Sequence, residues 1–358
     1  MLLSFPDGGF QVLGIDPGFG GLALSDVPPP PPPGAGEVLL RVTAAGICGT
    51  DLHIFEGGAF SRRMRLPTTL GHEICGVIEA VGPDVSHLSR SQRVSVESHL
   101  CCERCHACRR GWSHVCPNTR YPGVDFDGGF ASRVLLPARI IWPVPDDISD
   151  QAAAMMEPFG IAVHASMEGT GVAGAIVLIA GCGPIGLMNI AAARALGAAT
   201  IVASDISAKR LRAAERLGAD RVVDVAREDL HRVIADLTGG RGVDVAVEYS
   251  GQPASLRAMP ALVTHGGELR LVGVAEGEVP LAMMDLLLKG ITIRNIHGRR
   301  LFSTWEQATT LLRGRRVVLD EVVSHHLPLP DALDGFEACR AGSALKVLLT
   351  PPVEAAMV

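Results

Sequence analysis

The chain has 358 residues, of which 47% are hydrophobic and 20% are charged. This balance excludes wholesale disorder, because there is ample material for a core, and the length suits two domains rather than one. The formal net charge is −6 and no basic block stands out, which argues against nucleic acid as a partner.

A stretch without charge from Gly169 to Ala193 is nominally long enough to cross a membrane. Glycines and a proline interrupt it, so a buried strand followed by a buried helix explains it better. The first ten residues have neither a basic start nor a long apolar core and do not resemble a secretory signal. The sequence therefore predicts a cytoplasmic protein with no membrane partner.

The first part of the chain, to about residue 145, is predicted to be a compact, barrel-like β domain. Six consecutive prolines, Pro28–Pro33, predict an extended polyproline II connector on the surface. An alternating strand follows over 37–43. Glycine and proline then recur between short apolar runs such as 74–81 and 93–96.

Two short pieces of this β-rich part carry candidate ligands for a catalytic metal. Cys48 and His72 offer a thiolate and an imidazole, which are suitable ligands for zinc. A third, carboxylate ligand is available in either Glu73 or Glu157. Two or three protein ligands and an open position are typical of a catalytic zinc rather than a structural one.

Five of the nine cysteines lie between positions 101 and 116. An odd number of clustered cysteines, without a secretion signal, favours metal binding over disulfides. Four of them have tetrathiolate spacing: Cys102, Cys105, Cys108 and Cys116. Four sulfurs around one Zn²⁺ leave no position for substrate, so we predict a structural zinc site. An iron–sulfur cluster is the alternative metal.

After residue 150, apolar strands alternate with helices, and this pattern predicts a doubly wound parallel α/β sheet. The predicted strands cover 175–180, 200–204, 221–225, 243–247 and 268–273, and the predicted helices include 187–196 and 209–217. Beyond residue 302 the chain is predicted to form a helix, a strand over 321–325, a helix over 333–339 and a strand over 345–349, which could return to the first domain.

A glycine-rich turn joins the first of these strands to its helix. It contains Gly181, Gly183, Pro184, Ile185 and Gly186. This spacing at a helix N-terminus predicts a site for the pyrophosphate of a dinucleotide. Asp205 ends the next strand, where a carboxylate binds the adenosine ribose and repels a 2′-phosphate. Lys209 and Arg210 could attract that phosphate, but we place Arg210 near the ribose and predict NAD.

These motifs together resemble the zinc-dependent medium-chain alcohol dehydrogenases, and the resemblance covers essentially the whole chain from about Pro33. Within that family, the stretches 157–164, 298–305 and 94–99 are similar to the L-threonine 3-dehydrogenase subgroup. The resemblance implies a GroES-like, β-rich catalytic domain over 1–160, to which 302–358 returns. It also implies a Rossmann domain over 161–301 and a homotetramer or homodimer.

The resemblance further implies a mechanism in which zinc on Cys48, His72 and Glu157 binds the substrate hydroxyl and stabilises its alkoxide. Thr50 would accept the hydroxyl proton, and a relay would pass it to His53 and to water. Hydride would then leave the carbinol carbon for the nicotinamide.

Two further residues take roles by resemblance. Glu73 would support His72 or serve as a transient metal ligand, and His99 would lie near the substrate. The implied substrate is L-threonine or a similar polar secondary alcohol. Ile161 and the loop 121–126 depart from the subgroup pattern. The alternatives are a polyol, diol or aminocyclitol dehydrogenase and a non-catalytic member of the fold.

Overall fold

The computed structural model describes residues 10–16, 21–58 and 60–352. The chain divides into two compact units, one formed by Met1–Glu157 with Val323–Val358 and the other by Pro158–Val322. The sequence-based boundaries differ from this division mainly in placing 302–322 with the first unit. That segment belongs to the second unit because its turn Asp320–Val322 packs on helices there, and Glu321 pairs with Arg216 at 2.6 Å.

The first unit is mainly antiparallel β structure. Its strands are β1 Phe10–Asp16, β2 Gly21–Val27, β3 Glu37–Gly46, β4 Thr68–Thr69, β5 Glu73–Val81, β6 Arg93–Val96, β7 Arg133–Pro137, β8 Ile141–Pro143 and, after the second unit, β15 Val323–Pro328 and β16 Lys346–Thr350. Its helices are α1 Gly49–Phe55, α2 His106–Arg109, α3 Asp150–Ala154 and α11 Ala332–Arg340. The predicted strands at 321–325 and 345–349 are thus present with slightly shifted ends.

Seven strands of the first unit form one sheet in the order β15-β16-β3-β5-β6-β8, with β7 paired to β3, and β2-β1-β4 form a smaller sheet. In the antiparallel pair of β3 and β5, Gly46 lies opposite Glu73. In the antiparallel pair of β16 and β3, Leu348 lies opposite Gly46. The C-terminal end of β3 and the N-terminal ends of β5 and β16 therefore lie together at one end of the strands of this sheet.

The second unit is a parallel sheet with connecting helices. Its strands are β9 Ile176–Ala180, β10 Thr200–Asp205, β11 Arg221–Asp224, β12 Val243–Glu248, β13 Val263–Leu271 and β14 Thr292–Asn295. Its helices are α4 Met156–Met167, α5 Pro184–Ala195, α6 Ala208–Arg216, α7 Leu230–Thr238, α8 Pro253–Leu262, α9 Met283–Lys289 and α10 Ser303–Leu312. The strand order β11-β10-β9-β12-β13-β14 is that of a Rossmann fold, which confirms the predicted fold class.

Each unit has a hydrophobic core of its own. That of the first includes Leu40, Val94 and Leu136, and that of the second includes Leu178 and Val202; all are fully buried. The six prolines lie between β2 and β3 in neither helix nor strand, and four of them are exposed. Among the described residues, no helix combines the length and apolar character that a membrane span requires.

Candidate active site and metal centres

Three predicted metal ligands lie close together where β3 ends and β5 begins in the first unit's sheet. The donor atoms of Cys48, His72 and Glu73 all lie within 4.8 Å of one another. The register explains this arrangement: Cys48 comes two residues after β3, His72 comes directly before β5, and the ends of these strands pair. One sulfur, one imidazole and one carboxylate in this arrangement are a fitting donor set for zinc.

Asp51, which the sequence analysis did not single out, supports two of these ligands. It is fully buried, accepts a hydrogen bond from the Cys48 backbone N–H at 2.9 Å, and has Oδ1 3.7 Å from His72 Nδ1. Burial alone lowers the pKa of His72, but the Cys48 sulfur and the Asp51 carboxylate raise it well above its ordinary value. A carboxylate behind a ligating histidine orients the ring and strengthens the ligand.

Glu157, the other candidate carboxylate, is 5% exposed. Its Oε1 accepts a hydrogen bond from the Ser98 hydroxyl at 2.6 Å. Its charge acts on both His72 and Glu73, although among the described residues it falls outside the group whose donor atoms lie within 4.8 Å of one another. The carboxylate is therefore fixed in direction by Ser98 and lies within electrostatic range of the predicted ligands.

Glu73 has a second neighbour that the sequence analysis missed. The ammonium of Lys346, which is 2% exposed, forms an ion pair with Glu73 Oε2 and donates a hydrogen bond to the Ile47 carbonyl at 2.8 Å. Burial alone lowers the pKa of Lys346, but the Glu73 carboxylate raises it above its ordinary value. No local motif points to this lysine, since it lies 273 positions from Glu73 in the chain.

The two predicted proton-transfer residues lie on α1. Thr50 is half-buried, and its hydroxyl oxygen lies 3.8 Å from the Cys48 sulfur. His53 is exposed, one helical turn further on. An exposed imidazole can exchange a proton with water, as the predicted role requires.

His99 is buried and held by Glu97. Glu97 Oε1 lies 2.8 Å from His99 Nδ1 and accepts the His99 backbone N–H at 2.7 Å. The rings of His99 and Tyr121 meet edge to face with centroids 5.1 Å apart. The residue that departs from the subgroup pattern at 121 therefore contacts the histidine that the resemblance places near the substrate.

The four-cysteine loop is assembled for a metal ion. The sulfurs of Cys102, Cys105, Cys108 and Cys116 lie within 4.8 Å of one another. Backbone N–H groups point at them: that of Cys108 donates to Cys105 Sγ and that of Asn118 to Cys116 Sγ. The N–H of Arg104 and the amide of Asn118 donate to Cys102 and lower the pKa of its thiol to about 6. Four sulfurs gathered in this way fit a structural zinc.

The glycine-rich turn of the second unit leaves room for a ligand. A Cβ added at Gly183, which precedes α5, would meet nothing within 4 Å, whereas one at Gly181 would lie 2.8 Å from the Ser250 nitrogen. Asp205 at the end of β10 accepts hydrogen bonds from the N–H groups of Cys182 and Ser207, each at 2.8 Å. Arg210 Nη1 lies 3.8 Å from the same carboxylate. These residues suit a dinucleotide.

Sequence comparison with known protein families agrees with two metal sites in the first unit and a dinucleotide site in the second. Residues 34–146 match the family model of the alcohol dehydrogenase GroES-like domain, and residues 184–314 match that of the zinc-binding dehydrogenases. L-threonine 3-dehydrogenase of Bacillus subtilis (strain 168) is 40% identical over 317 residues, which is 88% of this chain and 91% of that protein. The chain belongs to the zinc-dependent medium-chain alcohol dehydrogenases.

Solved structures of other dehydrogenases are similar to this chain over nearly the full length. The 2R,3R-butanediol dehydrogenase of Bacillus subtilis has a TM-score of 0.87 at 29% identity, covering 96% of this chain and 100% of its own. An alcohol dehydrogenase of E. coli CFT073 in complex with NADH has the same TM-score and coverages at 27% identity. This protein is therefore an oxidoreductase that uses zinc and a nicotinamide cofactor to oxidise a secondary alcohol.

Proposed function

We propose that this enzyme oxidises L-threonine, or a closely similar polar secondary alcohol, at its hydroxyl-bearing carbon with NAD as hydride acceptor. The proposal is carried by the buried His99–Glu97 pair beside Ser98 and Glu157, in a chain that is 40% identical to an L-threonine 3-dehydrogenase over most of its length. A buried polar pair of this kind favours, in kcat/KM, a substrate that can form a hydrogen bond to it over one that cannot.

In this proposal Cys48, His72 and Glu157 hold the catalytic zinc, and the four cysteines hold the structural one. Bound zinc supplies a Lewis acid that stabilises the alkoxide form of the substrate. Asp51 fixes the His72 ring through its contact at 3.7 Å, and Ser98 fixes the Glu157 carboxylate. The chain thus provides oriented ligands before any metal binds.

Proton removal falls to residues on α1. The Thr50 hydroxyl, beside the Cys48 sulfur, accepts a hydrogen bond from the substrate hydroxyl, and it takes up that proton only as it gives its own proton to the relay that ends at His53. His53 is exposed on the same helix and is the group that releases the proton to water, since an imidazole can both accept and donate a proton.

The glycine-rich turn and Asp205 support NAD as the cofactor. Gly181, Gly183, Pro184, Ile185 and Gly186 form the pyrophosphate site. The buried Asp205 carboxylate repels a 2′-phosphate. The guanidinium of Arg210 lies 3.8 Å from this carboxylate, so Asp205 partly neutralises the positive charge that would otherwise attract the phosphate. The first unit is then the catalytic domain and the second the dinucleotide domain.

We further propose a homotetramer or homodimer in the cytoplasm. Helix α9 presents four apolar side chains that are 65–76% exposed: Met283, Met284, Leu287 and Leu288. Among the described strands, β14 is the last at one edge of the parallel sheet, and edge strands can pair with another chain. Contiguous exposed apolar surface marks an interaction site. All nine cysteines are free thiols, as expected in a reducing compartment.

A substrate panel tests the proposal, with NADH formation as the measurement. L-threonine should exceed 2-butanol in kcat/KM by about 10⁴-fold, because an alcohol without polar neighbours cannot form the hydrogen bond to the His99 imidazole that the proposal assigns to the substrate. His99→Phe should lower kcat/KM for L-threonine and leave 2-butanol little changed, while exposed His87→Phe should alter neither.

A diol dehydrogenase is the second candidate, favoured by the Tyr121 ring against His99 and by the structural similarity to a butanediol dehydrogenase. Turnover of 2,3-butanediol or cyclitols without turnover of L-threonine would replace the first candidate by this one.

A further inference from the structure

The Lys346 ammonium occupies a buried position next to the zinc ligands, and the proposed reaction does not use it. Lys346 begins β16, which pairs with the end of β3. Its Nζ contacts the Ile47 carbonyl, one residue before Cys48, and the Glu73 carboxylate, one residue after His72. One cation therefore touches both loops that carry predicted ligands.

The site is built for lysine in particular. Only three of the 32 basic Lys and Arg residues are lysines, so the chain generally uses arginine where it needs a cation. A Cβ on Gly46 would lie 3.0 Å from Lys346 Cε and would collide with Glu73 Oε2. This space holds a compact ammonium on a thin stem, whereas the planar guanidinium fork of arginine is larger.

Glu73 is chemically able to bind the metal. One of its carboxylate oxygens lies within 4.8 Å of the donor atoms of both Cys48 and His72, and zinc accepts carboxylate ligands. If Glu73 joined Cys48, His72 and Glu157, four protein groups would fill a tetrahedral shell. A catalytic zinc needs one position left for substrate, so something must hold this carboxylate back.

We propose that Lys346 is a positioning residue that holds the Glu73 carboxylate off the catalytic zinc and thereby keeps one coordination position open. The inference rests on the proposed zinc site. A buried carboxylate requires a compensating cation, and Lys346 supplies it on the side of the Ile47 carbonyl. Without that ammonium, a metal ion bound by Cys48 and His72 would be the cation that compensates the Glu73 charge.

The test uses enzyme carrying Co²⁺ at the catalytic site, whose visible absorption reports coordination, with imidazole as the probe ligand. Wild type should change its spectrum when imidazole is added. Lys346→Met should lose that response and about 10- to 100-fold in kcat on the preferred substrate, because Glu73 then fills the open position. The double variant Lys346→Met with Glu73→Gln should regain both the response and most of the lost kcat.

Two controls complete the design. Glu73→Gln alone should keep the imidazole response, and Lys346→Arg, which keeps the charge, should lose less of it than Lys346→Met. A normal response in Lys346→Met, or a double variant that stays unresponsive while Glu73→Gln responds, would overturn the inference. If Lys346→Met does not fold, the test uses the double variant, which replaces a buried ion pair by two neutral side chains. Its spectral response to imidazole should then equal that of Glu73→Gln.

The spectral response needs no substrate, so a wrong substrate assignment leaves it intact. Wild-type enzyme that binds Co²⁺ without any response to imidazole would instead overturn the open zinc site and, with it, the role of Lys346.

Discussion

Single carboxylates decide the chemistry of both sites. At the metal centre, Asp51 contacts the Cys48 backbone and the His72 ring, so one side chain fixes two ligands. At the dinucleotide turn, Asp205 uses both oxygens on backbone N–H groups at 2.8 Å and still lies at the strand end where a ribose binds. Each carboxylate acts through its position rather than through an exceptional local sequence.

Replacement of Asp205 by alanine should raise KM for NAD by about 10- to 100-fold, because a hydrogen bond to a charged group contributes about 1.5–3 kcal/mol. The same change should reduce discrimination against NADP, since the charge that repels a 2′-phosphate is removed. Initial rates with both cofactors give the measurement.

Asp224→Ala is the matched control for this prediction, because Asp224 lies beside Asp205 in the register of β10 and β11. It should leave cofactor preference unchanged. A wild-type enzyme that already prefers NADP would contradict the role given to Asp205.

Among the elements, the four-cysteine loop has little regular structure for its length. Its only α-helix among the described residues of the loop is α2, with four residues, which is too short to be stable alone. Cys105 caps that helix through the Cys108 N–H, and the loop otherwise depends on sulfur contacts. We therefore expect metal binding to be the main source of order in this element.

Cys105→Ser should remove one of two zinc ions per chain and lower Tm by at least about 5 °C, since 1 kcal/mol corresponds to about 2–4 °C in domains of this size. Cys48→Ser should also lose one zinc ion but keep most of the Tm and abolish turnover. Metal analysis and calorimetry on both variants measure the difference.

Cys101→Ser is the control in the same loop, because Cys101 lies outside the four-sulfur group. It should keep both zinc ions and the wild-type Tm. Fewer than two zinc ions in carefully prepared wild-type enzyme would contradict the assignment of two sites.

At the scale of the whole molecule, the acidic net charge of −6 favours solubility, yet α9 exposes four large apolar side chains. Lys289 at the end of α9 donates to three backbone carbonyls near the end of α8, each at 3.0 Å. This anchoring holds the apolar surface of α9 in place, as the subunit interface proposed above would require.

Replacing Leu287 and Leu288 together by aspartate should convert the proposed oligomer into smaller species, because two charges would have to be buried at the proposed interface. The molar mass from light scattering during gel filtration measures the change. Leu333→Asp is the control, since Leu333 is 46% exposed on α11 of the first unit and should leave the mass unchanged. A monomeric wild type would contradict the interface.

The sequence by itself determined the features that are local in the chain. The four cysteines span 15 positions and the glycine-rich turn spans six, so short-range geometry alone brings their atoms together. The alternation of strands and helices likewise predicted the parallel sheet. The candidate ligands Cys48 and His72 could be named from residue type, because thiolate and imidazole suit zinc whatever the fold.

Only the tertiary structure decided which distant side chains meet around those ligands. Ser98 reaches Glu157 across 59 positions. Lys346 reaches Glu73 across 273 positions, because β16, β3 and β5 pair in one particular register. A shift of one residue in either pairing would turn these side chains to the opposite face of the sheet. Register depends on the packing of the whole sheet, so no local motif could reveal Lys346 beside the metal ligands.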